Sequence, residues 1–383
     1  MRKKKDLFIL MGSISVVLLV LFASLPGCAP APKVDSYQEY VSRLPAGCEP
    51  VPRECFEQAQ EEGELNIYDW AEWWPEEIYE GFSQEFGIKI TRDNFSDYDE
   101  VVTKFKLMPE IPYDFLYLDT RAVIQLNELG VLKEINNDWV PNVNSYLLEQ
   151  FRDVGLKNSK PFDVSATAYS YNSDYVDDPR LPSWAVLLEP DEKYKGRITL
   201  TNNMWEVIPA ALKYLGYSSN SDDEGQLMEV RDLLLELKPY IMAFDSWPVR
   251  LMVEEEAYIA QQWSGDAYFL HQELESIQAA LPTEGTQLLI DAVGIPIGNA
   301  HPAVAHLWIN YLYRPEVNAQ VIETIGYTPV HSAVPGLLSE EMKAWPGVVL
   351  TEEYLANCTF LGPEAFTEQG VELRSAIWQE LKQ

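Results

Sequence analysis

The stretch Gly63-Glu64-Leu65-Asn66-Ile67-Tyr68-Asp69-Trp70-Ala71-Glu72-Trp73-Trp74-Pro75 decides the fold class. Leu65–Trp70 reads as a strand, and Pro75 breaks the extended run before a helix over Glu76–Phe86. Beyond it the same alternation continues: Ile88–Arg92 as strand, Tyr98–Leu107 as helix, Asp114–Leu118 as strand, then a helix over Arg121–Leu129 with Gly130 as its C-terminal cap. Strands that alternate with helices predict α/β layers around a largely parallel sheet.

A second set begins with a new strand at Tyr169–Asn172. It runs through Ile198–Thr201, helices over Trp205–Leu215 and Gly225–Leu237, and a strand at Tyr258–Trp263. Another strand over Asp291–Ile297 and helices over Ala303–Leu312 and Glu316–Ile325 complete the body. A chain of 383 residues is too long for one ordinary core, so two similar lobes are expected. No internal repeat or low-complexity tract is visible.

Charge narrows the partners. With 28 Lys+Arg against 60 Asp+Glu the net charge is −32, which excludes nucleic-acid phosphates and anionic lipid headgroups as partners of the folded part. Cationic partners remain. A hydrophobic content of 47%, with 11 Trp, 21 Tyr and 14 Phe, also excludes a disordered acidic tail.

The first residues are built for export. Arg2 and Lys3 to Lys5 precede the apolar run Leu7 to Phe22, which is shorter than the roughly 20 residues of a membrane span. Residues 1–27 therefore read as a signal peptide. The ending Leu25-Pro26-Gly27-Cys28 resembles the lipobox of bacterial lipoproteins, which implies a lipidated Cys28 and a membrane contact through that anchor alone. Residues 28–62 are expected to be a Pro-containing tether followed by a small N-terminal appendage. In an oxidising compartment Cys48 and Cys55 are expected to close a local disulfide, leaving Cys358 free. No thiol has a zinc-type spacing, and no metal or cofactor is expected.

The familiar sequence signatures of catalysis are missing. There is no phosphate-cradling glycine loop and no Gly-x-Ser-x-Gly. His271, His301, His306 and His331 do not form His-Glu-x-x-His. Carboxylates are too abundant for any two to be named a glycosidase pair, because that assignment rests on spatial separation. Binding, rather than catalysis, is the expected activity.

Ligands of open α/β sheets sit at strand ends, and aromatic and acidic residues recur there in both halves. The first cluster is Tyr68 to Trp74. The second is Leu118-Asp119-Thr120-Arg121, where Asp119 reads equally as a helix cap and as a ligand contact. The third is Thr201-Asn202-Asn203-Met204-Trp205-Glu206, in which either Asn can be the cap and Glu206 can complete a capping box. The fourth joins Gln262-Trp263-Ser264-Gly265-Asp266, Leu289-Ile290-Asp291 and Gly326-Tyr327.

Between about Gly63 and Pro335 the chain resembles the spermidine/putrescine-binding proteins of bacterial ABC uptake systems. The segments that carry the resemblance are Ile67 to Glu72, Ser183-Trp184-Ala185, Lys193 to Gly196, Ala211 to Tyr217, Ile309 to Val317 and Glu323 to Tyr327. It implies a two-lobed periplasmic-binding-protein fold of type II, a monomer with a hinge between its lobes. Lobe 1 would comprise 63–168 plus 292–335, and lobe 2 would comprise 169–291 plus 336–383. It also implies a small cationic amine as ligand and a membrane permease as partner. The family's polyamine box falls on Trp70, Glu72, Trp73, Asp119, Glu206, Trp263, Asp291 and Tyr327. Carboxylates would receive ammonium groups, and aromatic walls would cover the methylenes.

The sequence departs from that pattern at Asn203 in place of an acid, Arg121 in place of an aromatic, Leu289 in place of an indole, and Asp163 or Ser165 in place of a small hinge residue. The late glutamine of the family has no clear counterpart after Trp345. Arg121 and Asn203 thus join the candidate site. Arg121 leaves open a ligand with a carboxylate, and the indoles leave open a sugar or an exported glycan hydrolase.

Overall fold

The computed structural model describes residues 35–71, 74–152 and 156–383. Among these residues twelve strands are present: β1 (Glu64–Trp70), β2 (Lys89–Phe95), β3 (Phe115–Leu118), β4 (Leu132–Lys133), β5 (Ser159–Asn172), β6 (Ile198–Leu200), β7 (Ile241–Phe244), β8 (Ile259–Trp263), β9 (Ile277–Ala280), β10 (Gln287–Pro296), β11 (Thr328–Pro329) and β12 (Thr359–Phe360). Their main order is β2-β1-β3-β10-β5-β8-β6-β7.

The two ends of this order are parallel and its centre is not. β2, β1 and β3 pair in parallel, as do β7, β6 and β8, whereas β10 runs antiparallel to both β3 and β5, and β5 antiparallel to β8. The expected largely parallel sheet is therefore corrected to a mixed one. The reason lies in β5 and β10, which carry the chain between the halves in opposite directions. Ser159–Ala166 of β5 pairs with β10, and Thr167–Tyr171 pairs with β8, so the strand changes partner between Ala166 and Thr167. What reads as a new strand at Tyr169 is the second half of this long one.

Each half has its own core. Phe82, Phe115, Phe162, Leu288, Val293 and Trp308 belong to one buried cluster, and Tyr169, Trp184, Leu200, Ile208, Leu234 and Ile377 to another. The first also takes in Leu338, Met342, Trp345 and Val348, beyond the expected boundary at 335. C-terminal to it, the helix Glu368–Lys382 packs on the helix Glu224–Leu237 of the second half.

Residues 36–62 are built into the first half. They form the helices Ser36–Arg43 and Arg53–Glu62, and Tyr40, Val51, Cys55, Phe56 and Ala59 enter the first core. Glu62 also caps the helix Pro302–Leu312, accepting hydrogen bonds from the backbone N–H groups of Ala303 (3.3 Å) and Val304 (2.9 Å). The expected Cys48–Cys55 disulfide is not formed. Both thiols are free, because Cys55 lies on the buried face of its helix and its Sγ is 3.7 Å from the Ala303 carbonyl oxygen. Among the described residues no helix is long and apolar enough to cross a membrane. Residues 1–27 and Cys28 lie outside the described residues.

Candidate ligand-binding crevice

Where the strands of the two halves end, side chains from both meet. Asp119 follows β3 and does two jobs: Oδ1 caps the helix Thr120–Glu128 by accepting from Ala122 N at 2.7 Å, and Oδ2 accepts from Arg121 Nε at 2.7 Å. Thr120 fixes this corner to β10, since its hydroxyl donates to the Ile290 carbonyl (3.0 Å) and accepts from the Ile290 N–H (2.8 Å). Arg121 then reaches across, with Nη1 3.5 Å from Oδ1 of Asn203, the N-cap of the helix Met204–Tyr214 in the other half. Only 13% of its side chain is exposed. Burial works against its charge, but Asp119 and Glu206 outweigh that and hold the guanidinium protonated.

Asn203 takes the cap alone, accepting from Trp205 N at 3.0 Å. Glu206 does not complete a capping box. Its side chain turns inward, where Oε2 accepts from the Thr167 hydroxyl at 2.5 Å, at the point where β5 changes partner. The carboxyl is fully buried, and Oε1 makes no direct hydrogen bond of normal length among the described residues. Burial pushes this carboxyl up to about 7, against the pull of Thr167, Arg121 and the Trp263 indole.

Asp291 of β10 stands opposite Asp163 of β5 in register, both buried. Asp163 Oδ2 accepts from the Tyr117 hydroxyl at 2.6 Å, while Oδ1 finds no donor among the described residues other than through Asp291. Burial raises both pKa values, and for Asp291 the neighbouring charges of Asp163 and Asp119 add to it. Two carboxyls so placed disfavour carrying two charges at once, which favours a proton shared between them. The Tyr98 phenol lies in the field of Asp291, Asp119 and Asp163.

The aromatic residues flank these acids. Trp70, half-buried at the end of β1, packs edge-on to Phe95 (5.5 Å) and beside Tyr98 (5.2 Å). Trp263, half-buried, ends β8. Tyr327 is buried, and its hydroxyl lies 3.4 Å from Asp266 Oδ1, whose carboxyl burial pushes up to about 7. A side chain at Gly265 would strike the Tyr327 ring at 2.5 Å, so the glycine permits this seating. Leu289 contributes no wall of its own and packs with Leu361, Ala365, Trp205 and Phe366. Glu72 and Trp73 lie outside the described residues.

Sequence reading missed Asp163, Thr167 and Tyr117 as site residues, and it placed Asp266 in the fourth cluster without a role of its own. In sequence Asp163 stands only as a departure from a family pattern, and its facing of Asp291 is a matter of strand register. The four histidines make local hydrogen bonds: His301 with Asp114, His306 with Asn136 N, His331 with the Tyr313 carbonyl and His271 with that of Ile277. Among the described residues no group of three or more His, Cys, Asp or Glu side chains is spaced to hold a metal ion.

Among the described residues the crevice thus sets Asp119, Asp163, Glu206, Asp266 and Asp291 against the Arg121 guanidinium. Such an excess of buried acid costs several kcal/mol per charge unless protons or cations neutralise it. It can receive a protonated, water-shedding guest whose hydrocarbon lies along the aromatic faces.

Comparison with known proteins agrees with this architecture. Residues 77–349 match the family described as bacterial extracellular solute-binding protein. The chain is 32% identical over 288 residues to the spermidine/putrescine-binding periplasmic protein of Escherichia coli, covering 74% of this chain and 82% of that one. It is 25% identical over 346 residues to the putrescine-binding periplasmic protein SpuD of Pseudomonas aeruginosa, covering 85% and 93%. Among solved structures, the spermidine/putrescine ABC transporter substrate-binding protein PotD of Streptococcus pneumoniae superposes with a TM-score of 0.75 at 26% identity, covering 83% of this chain and 98% of that one. The fold is the two-lobed periplasmic-binding-protein fold of type II. By the span of the family match and the similarity to these relatives, the chain belongs to the bacterial extracellular solute-binding proteins, alongside the spermidine/putrescine-binding periplasmic proteins.

Proposed function

We propose that this chain is the substrate-binding subunit of an ABC importer for a small polyamine of the putrescine or spermidine kind. It captures the amine between its lobes, closes by hinge bending and hands it to a membrane permease, with no covalent step. It works as a monomer on the outer face of the cytoplasmic membrane, held there by lipid on Cys28. The names of its relatives support this reading, and one observation carries it: Asp163 Oδ1 and Glu206 Oε1 are buried carboxylate oxygens without an ordinary donor among the described residues. An ammonium group supplies the missing donors and the missing positive charge together. Trp70, Trp263 and Tyr327 would cover the methylenes, each adding about 0.5–2 kcal/mol of cation–π attraction. Trp73 and Glu72 belong to the proposed box as well.

Titration calorimetry of the purified protein with putrescine, spermidine, neutral sugars and amino acids tests this. Amine binding that weakens as ionic strength rises is the expected result. Binding of a sugar with no salt dependence, and of no amine, would overturn it. Turnover of oligosaccharides would move the chain to the hydrolases.

A further inference from the structure

We propose that Arg121 is a resident cation that fills one end of the crevice, so that the site accepts an amine with two positive charges and disfavours one with three. This inference rests on the amine reading above. The geometry behind it is the chain Asp119–Arg121–Asn203, which crosses from one half to the other. Nε of Arg121 is 2.7 Å from Asp119 Oδ2, and Nη1 is 3.5 Å from Asn203 Oδ1. The guanidinium is largely buried, and Glu206 acts on it as well as Asp119.

Charge accounting then limits the guest. Asp119 is neutralised by Arg121 at contact distance and keeps its other oxygen on the Ala122 N–H, so its charge and both its oxygens are already engaged. Asn203 is neutral and its oxygen already serves as a helix cap. Among the described residues two carboxyl stations with a buried oxygen short of an ordinary donor remain, Glu206 at Oε1 and the facing pair Asp163 and Asp291 at Asp163 Oδ1, while Asp266 already takes the Tyr327 hydroxyl. Two anionic stations match two ammonium groups. A third ammonium would meet the Arg121 guanidinium, and like charges in a dry site repel strongly.

The same accounting disfavours Arg121 as an anchor for a ligand carboxylate. Its positive charge is already spent on Asp119, and the surrounding acids repel a second anion.

The test is calorimetry of the full-length protein, wild type and Arg121→Ala, with putrescine, spermidine and 4-aminobutyrate, after thermal melts establish folding. Arg121→Gln, which keeps amide donors near Asp119, serves where the alanine variant is unstable. The wild type is expected to bind putrescine at least about tenfold more tightly than spermidine, the scale of one charge-assisted hydrogen bond. Removing the guanidinium frees Asp119, so both variants are expected to gain spermidine affinity by a similar factor. If putrescine binds but its preference over spermidine is absent, or is unchanged in both variants, Arg121 has no such role while the amine reading stands. Tight binding of 4-aminobutyrate that is lost with Arg121 would overturn the inference in favour of a carboxylate anchor. Failure of both amines to bind any form would overturn both.

Discussion

Asp163 and Asp291 face each other in register across β5 and β10, two buried carboxyls on the strands that join the halves. Like charges opposite one another in a sheet are destabilising, and here water is excluded as well. The native state therefore holds protons that the unfolded chain gives up. For a carboxyl whose folded pKa is raised, stability falls as pH rises from the unfolded value near 4 to the folded one. With Glu206 and Asp266 also pushed up to about 7, the window is roughly pH 4 to 7. The ligand-free protein should lose thermal stability between pH 5 and pH 8. Asp163→Asn should recover at least about 1.4 kcal/mol of that loss, the worth of one pKa unit. Melting curves across this range decide it, and an unchanged pH slope in the variant would refute the shared-proton account. Added putrescine should raise the melting temperature more at pH 8 than at pH 5.

Glu206 separates binding from stability. Glu206→Gln keeps an oxygen for the Thr167 hydroxyl but removes the negative charge from a fully buried position. Diamine affinity is expected to fall by about 1.5–3 kcal/mol, or roughly 10- to 100-fold, because a charge-assisted hydrogen bond is lost. Ligand-free stability at pH 8 is expected to rise. Parallel calorimetry and melts would expose the idea as wrong if both quantities dropped together.

Much of the architecture was legible from Gly63 onward. Phe115–Leu118, Ile259–Trp263 and the helices Pro302–Leu312 and Pro315–Ile325 lie within a residue or two of where alternation and helical spacing put them. The central strands were harder. In β5, Ser159–Asn172, nearly every residue is buried on both faces, so it shows no period of two to mark one continuous strand. Direction is not written in periodicity either, and the antiparallel centre went unseen. At the site, Asp119 and Glu206 could be picked out because they stand at strand-to-helix junctions. Asp163 could not, since its meaning comes from register with a strand more than a hundred residues away. Glu206 shows the opposite trap: its spacing from Asn203 fits a capping box, yet the side chain turns to Thr167 because the crevice offers it a hydroxyl.

The cysteines offer a check on local packing. With Cys55 turned toward Ala303 and burial pushing the Cys48 thiol up to about 11, neither is poised to react with the other. Peptide mapping after alkylation under denaturing, non-reducing conditions should find Cys48 and Cys55 separately modified. A reducing agent should leave the melting temperature unchanged. A fall of several degrees on reduction would instead indicate a bridge between them.

The N-terminal helices make the strongest claim on stability. Phe56 stacks on Tyr40 at 4.8 Å and is buried with Cys55 and Ala59 against the helix Pro302–Leu312, whose N-terminus Glu62 caps. Phe56→Ala should cost about 3–5 kcal/mol, the range for a buried aromatic cut back to a methyl group. Glu62→Ala should cost about 1 kcal/mol, as loss of a cap does. The two sites touch different groups, so their effects should add. Deleting residues 1–62 uncovers the same apolar surface at once and is expected to give an aggregating protein with no cooperative melt. Denaturant melts of the two point variants and a solubility assay of the truncation measure this. A soluble, ligand-competent truncation with an unaltered melting temperature would show that these helices are a removable appendage after all.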